Sequence, residues 1–222
     1  MENFSEGYLI QIVSALVSAI VAGIILALKK IDFTSWISRE IRARKTEKIT
    51  KHMSAIYRAD RALEQSIIDA VEKYGAHGGM VFNAHNCGEE MVVGASKYTT
   101  AKFGYAVDPN NDECNYHEYG RELMNIYQQV GLSTDFKSVL AQMLDNGYYQ
   151  FTTSDHPNTQ MYYYYNADKV VDTLFFLAWS NHYITCYWTV CTRNKEGFSK
   201  QDISNMRLLS DQVRSHCEDA HG

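Results

Sequence analysis

The sequence predicts an α+β protein: an antiparallel sheet of about five strands with its N- and C-terminal helices packed together, preceded by one transmembrane helix. Three observations lead there. Strand-like segments fall into two groups separated by helical ones, the pattern of an α+β layer architecture rather than of alternating βαβ units. Amphipathic helical stretches stand at both ends of the soluble part, and an uncharged apolar run lies near the N-terminus.

Residues 8–28 (YLIQIVSALVSAIVAGIILAL) carry no charge and one strongly polar side chain, Gln11. At about 1.5 Å rise per residue, a helix of this length crosses a hydrocarbon core about 30 Å thick. The tail before it, residues 1–7, holds Glu2 and Glu6 and no Lys or Arg, so it lacks the basic start of a cleavable leader. An uncleaved anchor in the lipid bilayer is expected. Ser14, Ser18 and Ala22 form one small-residue row and Ala15, Ala19 and Gly23 another. Such rows let two helix backbones approach closely in lipid, so self-association through the span is expected.

Residues 29–54 read as a basic juxtamembrane helix, with Lys29, Lys30, Arg39, Arg42, Arg44, Lys45, Lys48 and Lys51 against Asp32, Glu40 and Glu47. The positive-inside rule places this flank, and the soluble domain of residues 55–222, on the cytoplasmic side of a plasma or inner membrane. The same cluster suits anionic headgroups. From His52 onward 13 Lys/Arg face 21 Asp/Glu, an acidic balance ill-suited to a phosphate backbone, so no nucleic-acid partner is expected. The five cysteines, Cys87, Cys114, Cys186, Cys191 and Cys217, are an odd number without CxxC, which fits reduced thiols better than a disulfide framework.

Between Gly23 and Gly75 there is neither Gly nor Pro, so the span is expected to continue, with a bend near Asp32 to Ser35, into a long helical rod. Ile49, Met53, Ile56, Asp60, Leu63, Ile67, Ala70 and Tyr74 follow a 4-3-4-3 spacing interrupted only by Asp60. Two arrangements satisfy it: the seam of a coiled coil in a homo-oligomer, or one helix packing on its own domain.

Gly75 to Gly79 ends that helix, and Met80 to Phe82 read as a short central strand closed by the turn Asn83 to Gly88. Lys97 to Val107 has the aromatic and β-branched content of a strand, followed by the turn Asp108 to Asp112. Tyr119 to Val130 and Asp135 to Asp145 show helical periodicity, the second capped by Thr134 and Asn146-Gly147. Tyr148 to Thr153, Thr173 to Trp179 and Tyr183 to Thr192 read as strands, the last two as a hairpin about Asn181-His182. Tyr162 to Tyr165 is expected in or beside a loop. Ser199 to Glu218 closes the chain as an amphipathic helix with Ile203, Met206, Leu209 and Val213 on one face.

Four stretches, GMVFNAHNCG (79–88), LSTDFKSVLAQMLDNGYYQFTT (132–153), the strand from Tyr183 and GFSKQDISNMRLLSDQV (197–213), together with the element order, resemble the GAF/PAS-like sensor fold over residues 55–218. Gly147, Tyr148 and Tyr149, with Tyr187, Trp188 and Cys217, are also similar to features of the single-span holins of T-even phages. Those holins carry the soluble domain in the periplasm, whereas the basic flank here points to the cytoplasm.

Candidate chemistry is sparse. His77, His85, Cys87, Cys114 and His117 cluster in sequence, but their spacings match neither paired CxxC nor HExxH, and no metal or other cofactor is implied. No GxxxxGK[ST] or GxSxG occurs, and the adjacent Glu89 and Glu90 face different ways, so binding without catalysis is expected. The family's pocket lies between the sheet and the helices over it. The resemblance therefore implies Phe82, Asn83, His85, Asn86, Tyr105 and Tyr148 as ligand-binding candidates, with Trp179 and Tyr187 beside them. A membrane-anchored sensor is the expected function, its GAF-like domain binding a small ligand or regulatory protein and biasing self-association through the rod. The alternative is a holin-like protein permeabilising the host inner membrane for lysis; a tethered scaffold is a third.

Overall fold

The structure, a computed structural model, describes residues 3–30, 33–90, 96–108, 110–111 and 115–221, and within these leaves aside the side chains of 3–9, 27–30, 33–34 and 219. Asp32, Cys114, and Pro109 and Asp112 of the expected turn lie outside the described residues. The chain divides into two units, Met1–Met53 and Ser54–Gly222.

In the first unit, α1 (Asn3–Lys30) is a single helix. Its described side chains run from Ile10 to Leu26 and are all exposed, including those of Ser14, Ala15, Ser18, Ala19 and Ala22; around Gly23 nothing lies within 4 Å of where a Cβ would stand. Among the described residues, no helix is long and apolar enough to cross a membrane. The expected span differs from this run at both ends, because the side chains of Tyr8, Leu9, Ala27 and Leu28 lie outside those described.

Helix α2 (Phe33–Lys73) is 41 residues long. Its first half is exposed and laced by ion pairs at a spacing of four, Arg44 to Glu40 at 3.1 Å and Lys51 to Glu47 at 2.7 Å. Such pairs add only about 0.2–0.5 kcal/mol each. The 4-3-4-3 stripe splits accordingly. Ile49 and Met53 are exposed, whereas Leu63, Ile67 and Ala70 are buried within the second unit. Where the series breaks, Asp60 stays exposed and its neighbour Ala59 takes the buried position.

The second unit is built on one antiparallel sheet of six strands: β1 (Gly78–His85), β2 (Tyr98–Ala106), β3 (Val130–Gly131), β4 (Tyr148–Thr152), β5 (Asp172–Ser180) and β6 (Ile184–Thr192). Their order is β3-β2-β1-β6-β5-β4. The additional strand, β3, is a two-residue edge piece too short to leave a periodic signal; it pairs with Tyr98 and Thr99. Between β2 and β3 runs α3 (Tyr116–Ile126), and between β3 and β4 runs α4 (Thr134–Asn146). The side chain of Asn115 caps α3, and Ser133, one residue before the expected Thr134, caps α4. Helix α3 stops at Ile126, short of Val130, because the chain turns through Gln129 at φ 53 to reach the sheet edge.

Tyr162 to Tyr165, expected near a loop, lies inside helix α5 (Gln160–Ala167), whose first turn is capped by Thr159 Oγ1 accepting from the Tyr162 amide. Four identical residues show no 3.6-residue period, so only the cap marked the helix. Helix α6 (Lys200–His221) closes the chain.

Helices cover both faces of the sheet. On one, Leu63, Ile67 and Ala70 of α2 and Met206, Val213 and Cys217 of α6 pack on Val81, Phe176, Trp188 and Val190. On the other, Val139, Leu140 and Met143 of α4 and Met161 of α5 pack on Met80, Phe82, Phe175 and Tyr187. Burial on both sides explains why β5 reads as an unbroken apolar run, TLFFLAW, without alternation.

Candidate ligand-binding site

The second face is not filled. Between the sheet floor, the C-terminal end of α3, α4 and α5 lies a cavity enclosing about 80 Å³ of free volume. A single water needs about 10–15 Å³ on this measure, so the space holds a small organic molecule. Phe82, Thr99, Thr173, Phe175, Thr189 and Cys191 line it from the strands, Leu123 and Tyr127 from α3 and its end, Phe136 from α4, and Met161, Tyr164 and Tyr165 from α5.

Strand alternation puts these residues on one face. Phe82 stacks on Tyr187, centroids 5.3 Å apart, and Tyr127 meets Phe82 edge-on at 5.7 Å. The Tyr187 hydroxyl is paired with Thr99 Oγ1 at 2.8 Å, so this floor is satisfied and rigid. Thr173 Oγ1 is buried with no partner of hydrogen-bonding geometry; Tyr165 is the hydroxyl beside it.

One end is charged. Arg193, just past β6, donates from Nε to the Asp168 carbonyl at 2.9 Å and from Nη1 to the Val107 carbonyl at 2.8 Å. It thereby ties the ends of α5 and β2 to its own strand. Burial raises the Asp168 carboxyl pKa, and the nearby Arg193 guanidinium opposes that shift. Burial, reinforced by Asp168, pushes the Tyr119 phenol up to about 12, and burial pushes the Cys191 thiol up to about 11. Both are protonated at neutral pH, so Cys191 is no activated nucleophile.

Of the residues expected in the site, Phe82 lines the cavity, and Tyr187 stacks against Phe82 without lining it. His85, the last residue of β1, and Asn86 just after it instead brace the turn that follows the strand. His85 Nε2 lies 2.9 Å from Thr100 Oγ1, and Asn86 Oδ1 accepts from the Lys97 amide at 2.7 Å. Asn83 is half-buried on the opposite face of β1. Tyr105 and Tyr148 also belong to that opposite face: Tyr105 donates to Glu72 at 3.0 Å, and Tyr148 stacks on Phe176 and under Arg207. Trp179 stacks on His221. Tyr127, Asp168 and Arg193 carried no sequence signal; the tyrosine run of α5 carried one in its aromatic density. Among the described residues, no group of His, Cys, Asp or Glu could hold a metal.

No family model matches this sequence, and no curated protein does. Solved structures do resemble it. One is the GAF domain of a two-component sensor histidine kinase from Bacillus halodurans, with TM-score 0.48, 9% identity, and coverage of 72% of this chain and 93% of that one. Another is the GAF domain region of a putative membrane protein from Geobacter sulfurreducens, at 0.47, 7%, 76% and 97%. A third is the PixJ GAF domain of Thermosynechococcus elongatus, at 0.47, 8%, 76% and 89%. At these scores and identities the likeness reaches no residue of the cavity.

Proposed function

We propose that this chain is a membrane-anchored, non-enzymatic sensor whose GAF-like unit binds a small molecule in the cavity and whose long helix couples binding to self-association. The observation that carries the binding reading is the cavity itself, an apolar chamber with a few convergent polar groups at one end, which is the usual anatomy of a small-molecule site. Support for the anchor comes from the uncharged stretch of residues 8–28 and from the exposed apolar side chains of α1, such as Ile10 at 70% and Leu26 at 67%. The cytoplasmic placement of the unit rests on the basic flank. Coupling is supported by the unbroken α2, whose exposed Ile49 and Met53 continue the stripe that is buried further on. The lysis reading draws on the small-residue rows of α1 and on the layout of an apolar run ahead of a compact unit.

The test uses the full chain in lipid nanodiscs with an Ile49→Cys substitution. Thermal stability and cross-linking yield are read against a metabolite panel. A ligand should raise the melting temperature and change the yield. A panel that leaves stability unmoved would remove the binding reading, and a stabilising ligand with constant cross-linking would remove the coupling.

A further inference from the structure

Asp168 and Arg193 both line the cavity and sit near enough to influence each other electrostatically. Yet among the described ion pairs, all within 4.0 Å, none joins them. Arg193 spends two N–H groups on backbone carbonyls, which fixes its guanidinium in place and leaves three of its five N–H donors without an acceptor among the described residues. Among the described residues, the Asp168 carboxylate makes no side-chain hydrogen bond. Partly desolvated charges left apart are costly unless something completes them. Beyond this pair the walls turn apolar and aromatic: Tyr127, Tyr164, Phe136, Met161 and Phe175.

We infer that the cavity takes a small zwitterion with an apolar side chain, an α-amino acid, whose carboxylate meets Arg193 and whose ammonium meets Asp168. The inference rests on the ligand-binding reading above and adds the ligand's class. A purely anionic ligand would satisfy Arg193 and leave Asp168 repelling it; a purely cationic one would do the reverse. The aromatic walls receive the side chain, and the buried Thr173 hydroxyl belongs to the same lining.

The experiment measures thermal shift and calorimetric affinity of the full chain in nanodiscs. The probes are L-phenylalanine, L-leucine and L-methionine, with hydrocinnamate (no ammonium), phenethylamine (no carboxylate) and N-acetyl-phenylalanine as controls. At least one amino acid should bind, and deleting either charge should weaken binding about tenfold or more, since charge-assisted hydrogen bonds are the strong ones. Asp168→Asn should erase the preference for phenylalanine over its N-acetyl form while leaving the unliganded melting temperature close to that of the parent. Arg193→Gln should erase the preference for phenylalanine over phenethylamine. Because Arg193 also ties α5 and β2, the Asp168 variant decides if the Arg193 variant does not fold. If hydrocinnamate or phenethylamine binds as well as phenylalanine, or Asp168→Asn leaves discrimination intact, the zwitterion assignment is wrong and the cavity remains a ligand site. If none of the probes binds while another metabolite does, the assignment alone fails; if nothing binds, both readings fall.

Discussion

Replacing Gly120 with Ala sets two effects of opposite sign against each other, and the structure decides between them. Gly120 is buried in α3 and stacks on Gly104 of β2. A Cβ on Gly120 would meet the Gly104 carbonyl oxygen and carbon, with the Tyr105 amide nitrogen at 2.8 Å; the matching Cβ on Gly104 would stand 2.5 Å from the Gly120 oxygen. In an open helix the exchange would gain about 1 kcal/mol from propensity. Here the obstacle is backbone on both sides, which cannot turn aside as a side-chain tip can. Overpacking commonly costs about 1–3 kcal/mol, and a rigid backbone clash belongs at the top of that range. The net expectation is a loss of about 2 kcal/mol, or about 4–8 °C in melting temperature for a unit of this size. Urea unfolding of Gly120→Ala, Gly104→Ala and the double variant checks it. The double variant should lose clearly less than the sum of the singles, because either methyl group already parts α3 from β2. Ligand affinity should fall as well, since α3 carries Leu123 of the cavity wall. A Gly120→Ala variant as stable as the parent would refute the close-contact argument.

Three further outcomes are expected. Asp172, buried at the start of β5, accepts from Thr152 Oγ1 at 2.7 Å, Gln150 Nε2 at 3.3 Å and the Phe198 amide at 3.2 Å; Asp172→Ala leaves these donors unpaired and should cost about 3 kcal/mol in urea unfolding. His77 is held below its ordinary pKa by burial and then by Arg193, and His85 by burial. Both therefore bind protons more weakly folded than unfolded, so stability should decline as pH drops below about 6.5, and His77→Gln should flatten the slope of stability against pH in that window. In a Cys114→Ala background, an aromatic disulfide reagent should modify exposed Cys87 quickly. Cys186 and Cys217, buried on the α6 side of the sheet, should react only on unfolding, because burial raises their thiol pKa values, that of Cys217 to about 12; rapid modification of either in the folded chain would contradict the packing of α6 on the sheet.

Local chemistry in the sequence determined most elements. The turn residues around Asn181 fixed a hairpin, with Asn181 Oδ1 accepting from the amides of Tyr183 and Ile184 at 2.8 and 2.9 Å. Apolar periodicity fixed α4 and α6, and β-branched and aromatic content fixed four of the strands within a residue or two. These signals are short-range: they depend on neighbours three or four positions apart. The uncharged run of residues 8–28 and its basic flank are likewise properties of the sequence alone.

Only the tertiary structure decided which side of the sheet each aromatic faces. Phe82 and Tyr105 sit in neighbouring strands, but the register shift between Val81 and Phe82 alters their pairing, and Tyr105 turns to Glu72 of α2 while Phe82 faces the cavity. Nor could periodicity bring Arg193 to the Asp168 and Val107 carbonyls, contacts that span 25 and 86 residues of chain. A binding site assembled from strand ends, a helix end and a helix with no apolar stripe leaves no local pattern, because its residues are selected by where the fold places them and not by the element they form.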